Sequence, residues 1–229
     1  MREFILAFPL LETKENVVSF LDKVNVKKDS GTIMIPGCSL LFEILVKEKV
    51  NGLAEIFNEH ETLSPPDYEN LKKHETLLFL KFVLTCKNEL LELNTIVSQF
   101  LKAGALGVYA DNSGIAFTAS SFLEFDLENF PMDPWINYIA TAADLFTLGL
   151  ESFNMPDFCI SLASGNEDFL RNALSLVVHV LFLENEIPAS GDEIPSEDGT
   201  FVLRTELKAA FKKGSPEFNK KGVFRLIKK

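Results

Sequence analysis

Three times along this chain a run of strand-forming apolar residues is followed by an amphipathic stretch with its own helix-start signal. This pairing restricts the fold more than any other feature. Phe4–Leu10 precedes Thr13, an N-cap type of residue, and then Val17, Phe20, Leu21 and Val24 at helical spacing. Thr76–Leu84 precedes Asn88 and a stripe of Leu90, Leu93, Ile96, Val97, Phe100 and Leu101. Glu89, Glu92, Asn94, Ser98, Gln99 and Lys102 take the opposite face, and Gly104 stands where the helix should stop. Phe158–Leu162 precedes Ser164-Gly165-Asn166-Glu167, which has capping-box spacing, and then a helix apolar nearly all round, expected to be the most deeply buried of the three. The units start about 75 residues apart and share period rather than sequence, so they are not read as a duplication.

The segments between these units look like strands joined by short turns. Ala105–Ala110, Asp111-Asn112-Ser113-Gly114 and Ile115–Ser120 predict a hairpin. Thr32–Ile35, Pro36-Gly37 and Ser39–Val46 suggest another, although the second run would also suit a helix. Residues 51–73, charged and carrying Pro65-Pro66, read as one or two helices with an exposed loop between. Further strands are expected at Trp135–Ala142, Leu145–Leu150, Gly199–Arg204 and Val223–Ile227. Short connections favour antiparallel pairing. The expected fold is therefore α+β: a mixed, mainly antiparallel sheet with helices packed on it, containing βαβ-type units. A single domain over residues 1–229 is expected, and Asn129–Pro134, with its two prolines, is where it would subdivide.

A chain with 47% hydrophobic and 24% charged residues folds into a globule rather than remaining disordered. Twenty-one Phe against one Trp and three Tyr points to aromatic side chains used as core filling. Cys38, Cys86 and Cys159 are odd in number and far apart, which argues for small apolar fillers in a reducing, cytoplasmic setting rather than a disulfide framework. The N-terminal apolar run contains Glu3 and is followed by Lys14 and Glu15, so it reads as a strand and not as a signal peptide. Phe169–Leu183 falls short of the roughly 20 apolar residues of a membrane span and carries Arg171, Asn172 and His179.

The formal net charge is −11 and is distributed unevenly. Residues 200–229 hold nine Lys/Arg and two Asp/Glu, whereas the first 199 hold thirteen and thirty-one. An acidic body repels phosphate backbones, which disfavours nucleic acid as a partner. The basic tail interleaves Phe218, Phe224 and Ile227 with its lysines. It reads as a final strand set against the acidic body in preference to an anion-binding patch.

None of the spacings that carry catalytic or cofactor chemistry stands out. His60-Glu61 lacks the second histidine of a zinc helix, since Ser64-Pro65 follows. His74 would be explained by solvation at a sheet edge, and His179 by a core hydrogen bond. Gly104 and Gly107 follow a helix, whereas a phosphate loop needs glycines before one. Cys86, next to a helix start, reads as an inert thiol rather than an activated one. Glu184, Glu186, Asp192, Glu193, Glu197 and Asp198 form an acidic loop without the ordered spacing of a calcium site.

One stretch carries a recognisable pattern. Trp135, then Thr147-Leu148-Gly149-Leu150-Glu151-Ser152-Phe153-Asn154-Met155-Pro156-Asp157, then the apolar helix and Gly191-Asp192-Glu193-Ile194, resembles the bacterial family called domain of unknown function 4261. Asn154 replaces that family's usual Gly and Asp157 its Glu; Asn tolerates positive φ. The resemblance covers about 70 residues and implies no catalytic assignment; from the residues themselves no cofactor and no metal are expected. The expectation is a non-enzymatic acidic module that binds a basic protein, in the manner of an inhibitor or immunity protein. Small-ligand binding and an enzyme with an unrecognised site are the alternatives. Trp135, Thr147, Asp157, Asp192 and Glu193 are the candidate interaction residues, where the Thr147–Asp157 element would meet the Gly191–Ile194 turn.

Overall fold

A computed structural model describes residues 3–29, 32–35, 38–84, 87–184, 188–196, 199–206, 211–215 and 217–229. The fold is α+β, with six α-helices and two mostly antiparallel sheets among the described residues. It divides into two units, Glu3–Pro134 and Trp135–Lys229, at the end of the two-proline segment.

The first unit runs β1 (Phe4–Leu10), α1 (Val17–Lys23), β2 (Lys27–Asp29), β3 (Thr32–Met34), β4 (Leu41–Glu48), α2 (Leu53–His60), α3 (Pro65–Lys72), β5 (Thr76–Phe82), α4 (Lys87–Lys102), β6 (Gly107–Ala110), β7 (Ile115–Thr118) and α5 (Ala119–Leu123). Its sheet has the order β2-β3-β4-β5-β1-β6-β7, antiparallel throughout. β1 lies inside the sheet, paired from Phe4↔Phe82 to Leu10↔Thr76 on one side and with Tyr109 and Ala110 on the other. Phe100 of α4 meets Phe8 at 5.1 Å and Phe20 of α1 at 5.6 Å between ring centroids, so these helices share one face. Leu53, Ala54 and Phe57 of α2 and Leu71 of α3 pack with Leu77, Phe79, Tyr109 and Ala116 on the other. A strand covered on both sides gains from apolar residues at every position, which is why β1 shows no polar alternation.

Residues 51–73 form two helices with a loop between them, as expected. Pro65 and Pro66 follow that loop. They begin α3, where a missing N–H costs nothing, and Ser64 Oγ caps the turn by accepting from the Asp67 N–H at 3.3 Å. β7 ends at Thr118, whose hydroxyl accepts from Ser121 N and starts α5 two residues before the expected strand end. β2 was not expected at all. Of the hairpin ahead of β4, Pro36-Gly37 lies outside the described residues.

The second unit runs β8 (Asn137–Ala140), β9 (Asp144–Leu148), β10 (Asp157–Ser161), α6 (Glu167–Glu184), β11 (Glu193–Ser196), β12 (Gly199–Thr205) and β13 (Val223–Lys228). The strand order is β11-β12-β13-β10-β9-β8, with β10 and β13 parallel and every other pair antiparallel. Trp135 closes a 3-10 turn, and the strand expected from it begins at Asn137. α6 is capped by Asn166, whose Oδ1 accepts from Phe169 N at 2.9 Å, not by Ser164, which ends a 3-10 turn. Nor is α6 more deeply buried than α4. Leu170, Leu174, Val177, Val178 and Leu181 are enclosed, but Leu183 is 44% exposed. A sheet covers one stripe of a helix and leaves the opposite stripe outside it. The acidic loop is also interrupted: Glu193–Ser196 forms the edge strand β11, where Pro195 is tolerated. Glu186, Glu197 and Asp198 lie outside the described residues.

Candidate functional site

The Thr147–Asp157 element folds around two positive-φ residues. Gly149 at φ +102° and Asn154 at φ +62° bracket a 3-10 turn over Leu150–Phe153. Glycine reaches this region without a Cβ clash, and asparagine tolerates it. The turn brings Asp157, at the start of β10, beneath it. Thr147 Oγ1 accepts from the Phe158 N–H at 2.8 Å and donates to Asp157 Oδ1 at 3.4 Å. Burial pushes the Asp157 carboxyl up to about 7, against hydrogen bonds from the Asn219 side chain, the Leu150 N–H and Thr147 that favour its charged form. Asn219 Nδ2 also donates to the Met155 carbonyl at 3.0 Å. Asp157 thus ties the 3-10 turn, β9 and the approach to β13 together. Beside it opens a cavity of about 640 Å³ lined by Glu151, Lys213, Gly214, Ser215, Phe218 and Lys220.

Of the five candidate interaction residues, Thr147 and Asp157 come together, and Asp192 and Glu193 stand apart from them. Trp135, Thr147 and Asp157 are 1%, 0% and 4% exposed. Asp192, half-buried, accepts from the Ala189 N–H at 2.7 Å. Glu193, on the edge strand, pairs with Lys229. β12 and β13 intervene between β11 and β10, so the Gly191–Ile194 turn stands strands away from Thr147 and Asp157. The chain returns from α6 into a meander whose last strand, not its first, lies against β10.

The basic tail is engaged inside this unit, as its reading as a final strand requires. Arg225 Nη1 and Nη2 donate to Asp144 at 2.6 and 3.0 Å, and Nε donates to Glu206 Oε2 at 2.7 Å. The Asp144 hydrogen bonds foremost raise the Arg225 pKa, so its charge persists at every physiological pH. Lys220 lies 3.7 Å from Glu151. No sequence spacing announced the Asp144–Glu206–Arg225 cluster, because its members come from three distant segments.

The remaining titratable candidates are structural. His74 is 1% exposed, not solvated at an edge. Val50 N–H can only donate, and it donates to Nε2 at 3.2 Å; the proton therefore sits on Nδ1, 2.6 Å from the Leu71 carbonyl. Burial lowers the His74 pKa. His179 Nδ1 lies 2.8 Å from the Ser175 carbonyl. The Cys38 thiol is half-buried rather than a strand filler; it donates to Glu92 Oε2 at 3.3 Å, and burial foremost pushes it up to about 11. Cys159, fully enclosed, is pushed up to about 12. Cys86 lies outside the described residues. Among the described residues no group of three His, Cys, Asp or Glu is placed to hold a metal, and no helix is long and apolar enough to cross a membrane.

Charge separates the two units. Glu3–Pro134 carries twenty Asp/Glu against eleven Lys/Arg. Residues 103–170 contain ten Asp/Glu and no Lys or Arg, a signal legible in the sequence. Comparison with protein-family models, curated proteins and solved structures finds no match for the chain.

Proposed function

We propose that the protein acts by binding a basic protein partner and masking its cationic surface, as an inhibitor or immunity-like module would. One observation carries this reading. Arg225, Lys220 and Lys229 are ion-paired within the second unit, while the first unit keeps an acid excess of its own. Complementary charge speeds encounter and rejects like-charged competitors, so an unmatched acidic surface selects basic proteins and disfavours nucleic acid. A cytoplasmic location belongs to the same reading, and the free thiols Cys38 and Cys159 support it.

Affinity capture from a native lysate at low salt tests it. A stoichiometric partner of basic isoelectric point is expected, released at about 0.5 M salt as screening shortens the reach of surface charge. Recovery of no partner, or of acidic partners alone, overturns the reading. The cavity beside Glu151 favours a second reading, a small-ligand site with cationic Lys213 and Lys220 at its wall. In a metabolite screen by thermal unfolding, an anionic compound would raise Tm by mass action, and Lys213→Glu would abolish the rise.

A further inference from the structure

The described surface of the first unit has a groove between α4 and the segment that follows α5. It encloses about 460 Å³ and is lined chiefly by apolar surface, with Leu91, Thr95, Ser98 and Lys102 from the helix and Leu127 and Glu128 from the segment. Leu91, Leu123 and Phe130 stand 37%, 39% and 45% exposed. Leu91 and Leu127 share the groove, and apolar side chains gathered at one place on a surface mark a contact site more often than scattered ones do. Glu124, Asp126 and Glu128, all exposed, line the same segment.

The segment is held in place. Asp126 accepts from the Asn129 N–H at 3.2 Å and from its Nδ2 at 2.8 Å, and these bonds hold its carboxyl below the usual carboxylate range. Phe130 N donates to the Asp126 carbonyl at 2.8 Å. Buried Asn94 of α4 donates to the Pro131 carbonyl at 2.9 Å, and Phe125 packs on Phe117 at 4.9 Å between centroids. Leu127 is therefore presented by backbone that is already ordered, which lowers the entropy lost on binding.

We propose that this groove docks a basic amphipathic helix of the partner protein, its apolar stripe against Leu91 and Leu127 and its Lys/Arg flank along Glu124, Asp126 and Glu128. The assignment rests on the reading of a basic partner given above and adds where that partner binds. An apolar trough beside a helix accepts another helix through residues at i, i+3 and i+4. Charge chooses the occupant. Two copies of this groove would bring like-charged rims together, whereas a cationic helix satisfies them. Lys102 closes the far end, so the cationic flank lies on the 123–130 side.

The test is an amide NMR titration of the full chain with a model Lys/Leu amphipathic peptide of about four helical turns. Two controls accompany it, a Glu/Leu peptide of the same pattern and a Lys/Leu peptide of scrambled order. Shift changes are expected at Leu91, Thr95, Ser98, Leu127 and Glu128. The double variant Glu124→Lys/Glu128→Lys should weaken binding at least about tenfold, and Leu91→Ala should weaken it without altering charge. Equal binding of the scrambled peptide, or unchanged affinity in the double variant, overturns the proposal. Shifts confined to other residues overturn this location and leave the basic-partner reading standing. A chain that binds no cationic peptide anywhere loses both. Concentration-dependent shifts at these residues without peptide would assign the groove to a second copy instead.

Discussion

Thr147 donates its hydroxyl to the Asp157 carboxylate across 3.4 Å while accepting the Phe158 N–H, inside the core of the second unit. The pair couples the fold to pH. Burial raises the folded-state pKa of Asp157 to about 7, above its unfolded value, so folding favours the protonated form. The stability it contributes is complete below the unfolded pKa, near 4, and is lost as pH rises through about 7. Denaturant titrations between about pH 4 and 9 should show the second unit weakening from about pH 4 to about pH 7 and level above that, and Asp157→Asn should flatten the slope. A wild-type profile level between about pH 4 and 7 would contradict this.

His74 gives the first unit the opposite dependence. Its neutral ring accepts from Val50 and donates to Leu71, and burial depresses its pKa. Lys49 opposes protonation and Glu75 favours it. The stability of this arrangement is present above the unfolded value of about 6.5 and is lost as pH falls through the folded pKa. Hydrogen-exchange protection factors at Val50 and along α2 and α3 should fall on acidification. His74→Ala should remove that response and cost about 1–3 kcal/mol by leaving buried backbone groups unsatisfied.

Arg225→Met should destabilise the second unit by about 2–3 kcal/mol. It strands two partly buried carboxylates, Asp144 and Glu206, with no cation between them. Adding Asp144→Asn should recover part of the loss, and a double-mutant cycle by urea denaturation measures the coupling. Purely additive losses would mean that the cluster contributes nothing as a unit.

Gly107→Ala should cost the first unit about 1–3 kcal/mol. An added Cβ would meet the Phe117 carbonyl and the Phe57 ring at 2.5 Å each, so α2 would have to lift from β6. Thermal unfolding of this variant alone and combined with Phe57→Leu separates the ring contact from the backbone contact. The ring contact is the part that Leu relieves.

Much of the secondary structure was legible because its causes are local. The stripe from Leu90 to Leu101 becomes the buried face of α4, and Asp111–Gly114 becomes the turn between β6 and β7. Asn154, noted for its tolerance of positive φ, has φ +62°. Where neighbours in sequence compete, the reading failed. Ser164 has the capping-box spacing that Asn166 takes over.

By itself, the sequence determined the α+β class, the helix that follows β10, the acid-rich stretch 103–170 and the residues around Gly149, since these depend on spacing and on contacts a few residues apart. Only tertiary structure decided that β13 rather than β11 joins β10, which set Asp192 and Glu193 apart from Thr147 and Asp157 and gave Arg225 its two carboxylates. Strand order follows from burial and backbone pairing summed over distant segments, and no local periodicity encodes that sum.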